Sequence, residues 1–76
     1  MIQAIPDKPR YQVFMDHALP GNFEFMACFA HAVEAKQHAE HLHTGYRYGD
    51  VVVLDAMTGT LLLVLPGERT ISGEIV

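Results

Sequence analysis

The sequence predicts a small α+β domain of order ββαββ, with a four-stranded, mainly antiparallel sheet and one helix packed on one face. Three observations indicate this fold. Extended segments occur as two pairs, turn residues separate the members of each pair, and one segment of helical composition lies between the pairs. Two hairpins that flank a helix pack most simply as one sheet with the helix across it.

The first hairpin is predicted to pair strands over Tyr11–Asp16 and Phe23–Phe29. The segment between them contains Pro20, Gly21 and Asn22, which are typical turn residues. Alternation in the second strand predicts that four residues share one face of the sheet: Phe23, Phe25, Ala27 and Phe29.

A helix is predicted over Ala30–Thr44, which is rich in Ala, Glu, Lys and Gln and contains neither Gly nor Pro. Gly45 suits the position after the last turn. At about 100° per residue, one broad apolar side is expected to face the sheet. Its predicted members are Phe29, Ala32, Val33, Ala35, Ala39 and Leu42.

The second hairpin is predicted to pair Val51–Leu54 with Thr60–Leu65, and both strands are apolar on both faces. Gly59 is expected to take the positive φ that the turn between them requires. The residues predicted to be largely buried are Phe25, Ala32, Ala39, Leu42, Val53 and Leu63.

The 76 residues form one predicted domain, with a leader over 1–9, the ββαββ core over 10–66 and a tail over 67–76. A chain of this length buries only ~60% of its unfolded surface, so its margin of stability is narrow. The first ten residues lack the apolar stretch of a signal peptide, and the apolar runs are too short to span a bilayer. A cytoplasmic location is therefore expected.

Charge argues against nucleic acid as a partner. Five Lys and Arg oppose nine Asp and Glu, which gives a formal charge of −4. The chain contains one cysteine, so it cannot form an internal disulfide. We interpret that residue, Cys28, as a small buried hydrophobe. The alternative is a thiol activated by the helix N-terminus and His31.

Surplus apolar surface on the second hairpin predicts self-association. One helix about 10 Å wide covers one face of the sheet and leaves the other open. We therefore expect a homodimer, formed either face to face or edge to edge. The alternative is that the chain's own tails fold over the open face. The predicted interface residues are Val52, Leu54, Leu62 and Val64.

Histidines concentrate in the predicted helix. His31, Glu34, His38 and His41 are spaced i, i+3, i+7 and i+10, which places them on one stripe, expected opposite the apolar side and exposed. Imidazole and carboxylate groups at this spacing are candidate ligands for zinc or nickel, with weak binding expected in vitro. The same groups would gain charge on mild acidification. The competing interpretation is a solvated helix face with no bound cofactor.

The loop after the helix places Arg47 between Tyr46 and Tyr48, residue types that are common at binding hot spots. No set of residues with catalytic spacing accompanies it. The sequence therefore favours a non-enzymatic interaction module that acts as a homodimer or docks on another protein. The alternatives are a metal- or pH-responsive protein and a small enzyme whose site forms at the dimer interface.

Overall fold

The computed structural model describes residues 2–16, 22–46 and 49–68. It contains, in chain order, β1 (Tyr11–Asp16), β2 (Glu24–Phe29), α1 (Ala32–Gly45), β3 (Asp50–Asp55) and β4 (Thr60–Leu65). The predicted α+β class and ββαββ order are confirmed. The turn predicted in the first hairpin lies almost entirely outside the described residues.

The strands form one open antiparallel sheet of order β2-β1-β3-β4. The two hairpins join through β1 and β3, where Val13 lies opposite Val53 and Met15 opposite Val51. These two strands are central, which explains why five of the six residues in each are buried. The other two strands are the edges of the sheet as the structure describes it.

The helix packs on the sheet through alanines. Ala35 and Ala39 are fully buried and contact Val13, Val51 and Val53 in the helix-side core. Alanine side chains allow the helix axis to approach the sheet closely. Leu42 and the partly buried side chains of the two edge strands complete this core.

Val33 does not belong to the buried side of the helix, contrary to the sequence prediction, since 64% of it is exposed. It lies two residues before Ala35, which is about 200° around the helix. The helix also begins two residues later than predicted, after His31, whose side chain makes no capping hydrogen bond. Gly45 is the last helical residue, and Tyr46 N donates to Leu42 O at 2.7 Å.

A β-bulge divides the aromatic residues of β2 between the two faces of the sheet. The register shifts so that Phe25 lies opposite Phe14, while Ala27 lies opposite Val13. Phe25 therefore packs with Phe14 on the face away from the helix, and Phe29 packs on the helix side. The prediction of one shared aromatic face was wrong, because an extra residue in a bulge reverses the alternation.

The six residues predicted to be largely buried differ in how far the structure buries them. Ala39 and Val53 are fully buried, as predicted. The remaining four are half-buried: Phe25, Ala32, Leu42 and Leu63. Phe25 and Leu63 belong to edge strands, whose side chains have neighbours on one side only.

Two features fix the ends of the strands. In the turn between β3 and β4, Gly59 has φ +76°, as the sequence predicted. At the opposite end of β3, Asp50 N donates to Asp16 Oδ1 at 2.7 Å, and Gly67 N donates to Asp50 Oδ1 at 2.6 Å. These bonds tie β1, β3 and the segment after β4 together.

Candidate interaction surface

The outer edge of β4 is the most apolar strand edge in the described part of the chain. In the strand order β4 has one described neighbour, β3, on one side. Its sequence, TLLLVL, contains no charged residue and no proline. Charged residues and prolines are the usual means of preventing an edge strand from pairing with another chain. The residues of β4 therefore provide no such protection.

A β-bulge decides which side chains of β4 face solvent. Leu63 pairs with Val53, but Leu61 rather than Leu62 pairs with Leu54. Leu62 is the extra residue of the bulge. It packs against the helix-side core, as Leu63 does.

Leu61 and Val64 are consequently the exposed pair, 43% and 52% accessible. Their partners in β3 are Leu54 and Val52, which belong to the core on the face away from the helix. Both exposed residues therefore lie on that face, at its β4 side. Together with the outer backbone edge of β4, they define what we call the β4 edge.

The structure places the four predicted interface residues in three different environments. Val64 is exposed at the β4 edge, whereas Leu62 lies on the helix side. Val52 and Leu54 are buried within the single chain. Leu61 is absent from the predicted set, because strict alternation along β4 places it with the helix-facing residues.

Residues 2–9, the N-terminal arm, cover part of the face that the sequence analysis left open. Ile2 and Ile5 pack against the core formed by Phe14, Val52 and Leu54. Covering of this face by the chain's own tails is the alternative to a homodimer that the sequence offers.

Gln12 holds the arm in place from the centre of that face. It is fully buried, and its Oε1 accepts from Ile5 N at 2.8 Å. Its Nε2 donates to Ile5 O at 2.9 Å and to Pro9 O at 3.2 Å. A polar residue inside a buried strand was the sequence signal for this contact, because a buried amide requires hydrogen-bond partners.

An ion pair fixes the point where the arm enters β1. Arg10 Nε donates to Asp55 Oδ1 at 2.8 Å, and Arg10 Nη2 donates to Asp55 Oδ2 at 2.9 Å. Hydrogen bonding from Arg10, supported by a bond from Met57 N, lowers the pKa of Asp55 from 3.8 to about 2. The same pairing raises the pKa of Arg10.

Lys8 adds a further contact between the arm and the sheet. Its Nζ lies 5.8 Å from the centre of the Phe25 ring. That ring meets Phe14 edge to face, with centroids 5.8 Å apart. A shallow groove of about 570 Å³ separates the arm from the β3–β4 turn, and Lys8, Asp7 and Met57 contribute to its lining.

Of the helical histidines, His41 lies about 200° from Ala39 and thus opposite the buried side, as predicted, whereas His38 lies beside the buried alanines. His31 and His41 are exposed, but His38 is half-buried, and its ring lies 5.3 Å from that of Phe29. Its position immediately before Ala39 places it about 100° from the buried face. Within residues 2–16, 22–46 and 49–68, no three His, Cys, Asp or Glu side chains form a group that could hold a metal ion.

Other candidate residues are dispersed. Cys28 is half-buried in β2, opposite Gln12. Tyr46 is exposed, whereas Arg47 and Tyr48 lie outside the described residues. His43 Nε2 lies 2.9 Å from Pro66 O and connects the end of the helix to the end of β4.

No family model, curated protein or solved structure matches this chain. None of the helices in the described ranges combines the length and apolar character needed to cross a membrane.

Proposed function

We propose that this chain is a cytoplasmic, non-enzymatic interaction module that acts as a homodimer through the β4 edge. The observation that carries the proposal is the exposure of Leu61 and Val64 beside an uncharged, proline-free edge strand. A strand of this kind is a template for pairing with another strand.

Edge-to-edge pairing explains the available surface better than face-to-face packing. Val52 and Leu54, at the middle of the face away from the helix, are already buried in one chain under the N-terminal arm. Among the described residues of the sheet, the large apolar side chains left exposed on this face are Leu61 and Val64, at its β4 side. A partner that extends the sheet would cover them and also satisfy the outer backbone groups of β4.

A second copy is the partner that matches this edge. Two β4 strands related by a twofold axis run antiparallel, and the interface then uses the same residues on both subunits. When the pairing is centred near Leu62 and Leu63, Leu61 lies close to Val64 of the partner subunit. Both exposed residues are then covered, and two four-stranded sheets join into one.

Sedimentation velocity across the micromolar range tests the proposal. The expected result for the unmodified chain is a concentration-dependent species of twice the 8.5 kDa chain mass. Val64→Glu places a charge where the two β4 strands pair. The concentration at which half of the dimer dissociates should rise at least tenfold. Leu61→Glu should act in the same direction.

Val33→Glu is the matched control. It makes the same change from an apolar to a charged side chain at an exposed site, but on the helix, away from the sheet edge. Association should be unchanged in this variant. The proposal fails if the unmodified chain remains at 8.5 kDa throughout, or if Val64→Glu and Val33→Glu associate equally well.

A further inference from the structure

We infer that the N-terminal arm can exchange between two copies of this chain, so that the arm of one copy occupies the sheet face of the other. This surface lies at the centre of the face away from the helix and does not involve the β4 edge. The inference therefore does not depend on the proposed dimer, although it concerns the same partner.

The arm contacts the sheet in the way that a bound peptide contacts a receptor. Gln12 bonds to both the backbone N–H and the backbone C=O of Ile5, at 2.8 and 2.9 Å. These two bonds are made to backbone groups of the arm and do not require that the arm belong to the same chain. The same pair of bonds can therefore form with an arm supplied by a second copy.

The apolar contacts are equally transferable. Ile2 and Ile5 pack on Phe14, Val52 and Leu54, and the arm contributes no strand to the sheet as the structure describes it. Leaving this core requires no other strand or helix to move. A second copy offers an identical core and an identical buried amide, which makes it the partner of best-matched chemistry.

The hinge between the arm and β1 favours exchange. Four residues, Pro6-Asp7-Lys8-Pro9, reverse the chain, and Asp7 takes φ +70° to do so. Asp enters this left-handed region more readily than most residues with a side chain, but at a higher cost than glycine. Short hinge loops under strain promote exchange of the segments that they connect. In an exchanged pair the hinge can extend, and Asp7 can leave the left-handed region.

Proximity opposes exchange, because an arm on its own chain is present at high effective concentration. The exchanged form should therefore appear when the chain refolds at high concentration and should be rare in dilute solution.

Nuclear magnetic resonance of mixed chains is the direct test. Equal amounts of ¹³C-labelled and unlabelled chains are unfolded together and refolded at millimolar concentration. Isotope-filtered spectra then detect contacts between the Ile5 methyl groups of one chain and Val52 or Leu54 of another. We expect these contacts between chains, and we expect them to persist in a Val64→Glu background, where the β4 edge is disrupted.

Two substitutions in the hinge should move the exchanged fraction in opposite directions. Asp7→Gly removes the backbone strain of the closed hinge and should lower the fraction several-fold. Asp7→Val disfavours positive φ and should raise it several-fold. The inference is overturned if mixed samples show contacts only within one chain, or if the two variants exchange to the same extent.

Discussion

Gln12 illustrates how one buried polar residue can organise a surface. An amide side chain at the centre of a sheet face would be costly without partners, yet here it makes three hydrogen bonds to the backbone of the arm. The same bonds satisfy the N–H and C=O of Ile5. The side chain therefore stabilises the arm on the sheet rather than the sheet alone.

Gln12→Ala should lower the free energy of unfolding by about 2–3 kcal/mol, because it removes three hydrogen bonds to partly buried backbone groups of the arm. Urea denaturation followed by circular dichroism measures this change. Gln37→Ala, at an exposed helical position, is the control and should change stability by less than about 0.5 kcal/mol. A loss at Gln12 no larger than that at Gln37 would contradict the assigned role.

Asp55 also acts as a single residue, at the root of the arm. Its pKa is about 2 in the folded protein against an ordinary value of 3.8. A carboxyl with a lowered folded-state pKa contributes stability above its unfolded pKa and loses that contribution as the pH falls through its folded pKa.

We therefore expect stability from the Arg10–Asp55 pair to be complete near neutral pH and to decline between about pH 4 and pH 2. Asp55→Asn should be less stable than the unmodified chain at pH 7, and the difference should shrink across this interval. Urea midpoints at several pH values measure it. A difference that stays constant down to pH 2 would show that the charge on Asp55 contributes nothing.

At the scale of elements, the two β-bulges determine which side chains each edge strand turns toward the helix. In β2 the bulge separates Phe25 from Phe29, and in β4 it directs both Leu62 and Leu63 to the helix side. The β2 strand thus contributes to both cores, whereas the packed leucines of β4 belong to the helix-side core. The exposed pair at the β4 edge is a direct result of the second bulge.

Phe25→Ala should destabilise the fold by about 2–3 kcal/mol, below the 3–5 kcal/mol typical of a fully buried phenylalanine. The residue is half-buried on an edge strand, and it contacts Phe14 and Lys8 on the face away from the helix. Thermal and urea unfolding measure the change. A variant that melts within a few degrees of the unmodified chain would show that this second core contributes little.

The helix contributes through the small size of its buried residues. Ala35 and Ala39 have no exposed surface and contact the central strands directly. The sequence indicated this close packing, since three of the predicted helix-facing residues were alanines. The prediction for Val33 was wrong because the side of the helix that contacts the sheet is narrower than the apolar side predicted from the sequence.

At the scale of the whole molecule, the described part of the chain has one helix and a sheet with two faces to cover. The helix covers one face, and the N-terminal arm covers the middle of the other. The apolar surface for which the sequence predicted a homodimer, face to face or edge to edge, is thereby reduced among the described residues to the β4 side. The proposed dimer would cover the exposed residues of the β4 edge. The inferred exchange would replace the N-terminal arm on this face with the arm of a second copy.

The sequence by itself determined the element order, the strand limits to within one residue and the positive φ of Gly59. Local features carry this information: the period of apolar residues, helical composition and turn chemistry. The sequence also predicted that β4 is a strand with apolar residues on both faces.

Only the tertiary structure decided which face each edge residue occupies and what covers the second face. A bulge depends on the pairing of two strands, so one strand's alternation could not reveal that Leu61 rather than Leu62 is exposed. The position of the arm depends on a contact between Gln12 and Ile5 across a turn. The spacing of apolar and polar residues around Gln12 and Ile5 does not predict that contact. The contact forms only when the N-terminal arm folds back onto the sheet.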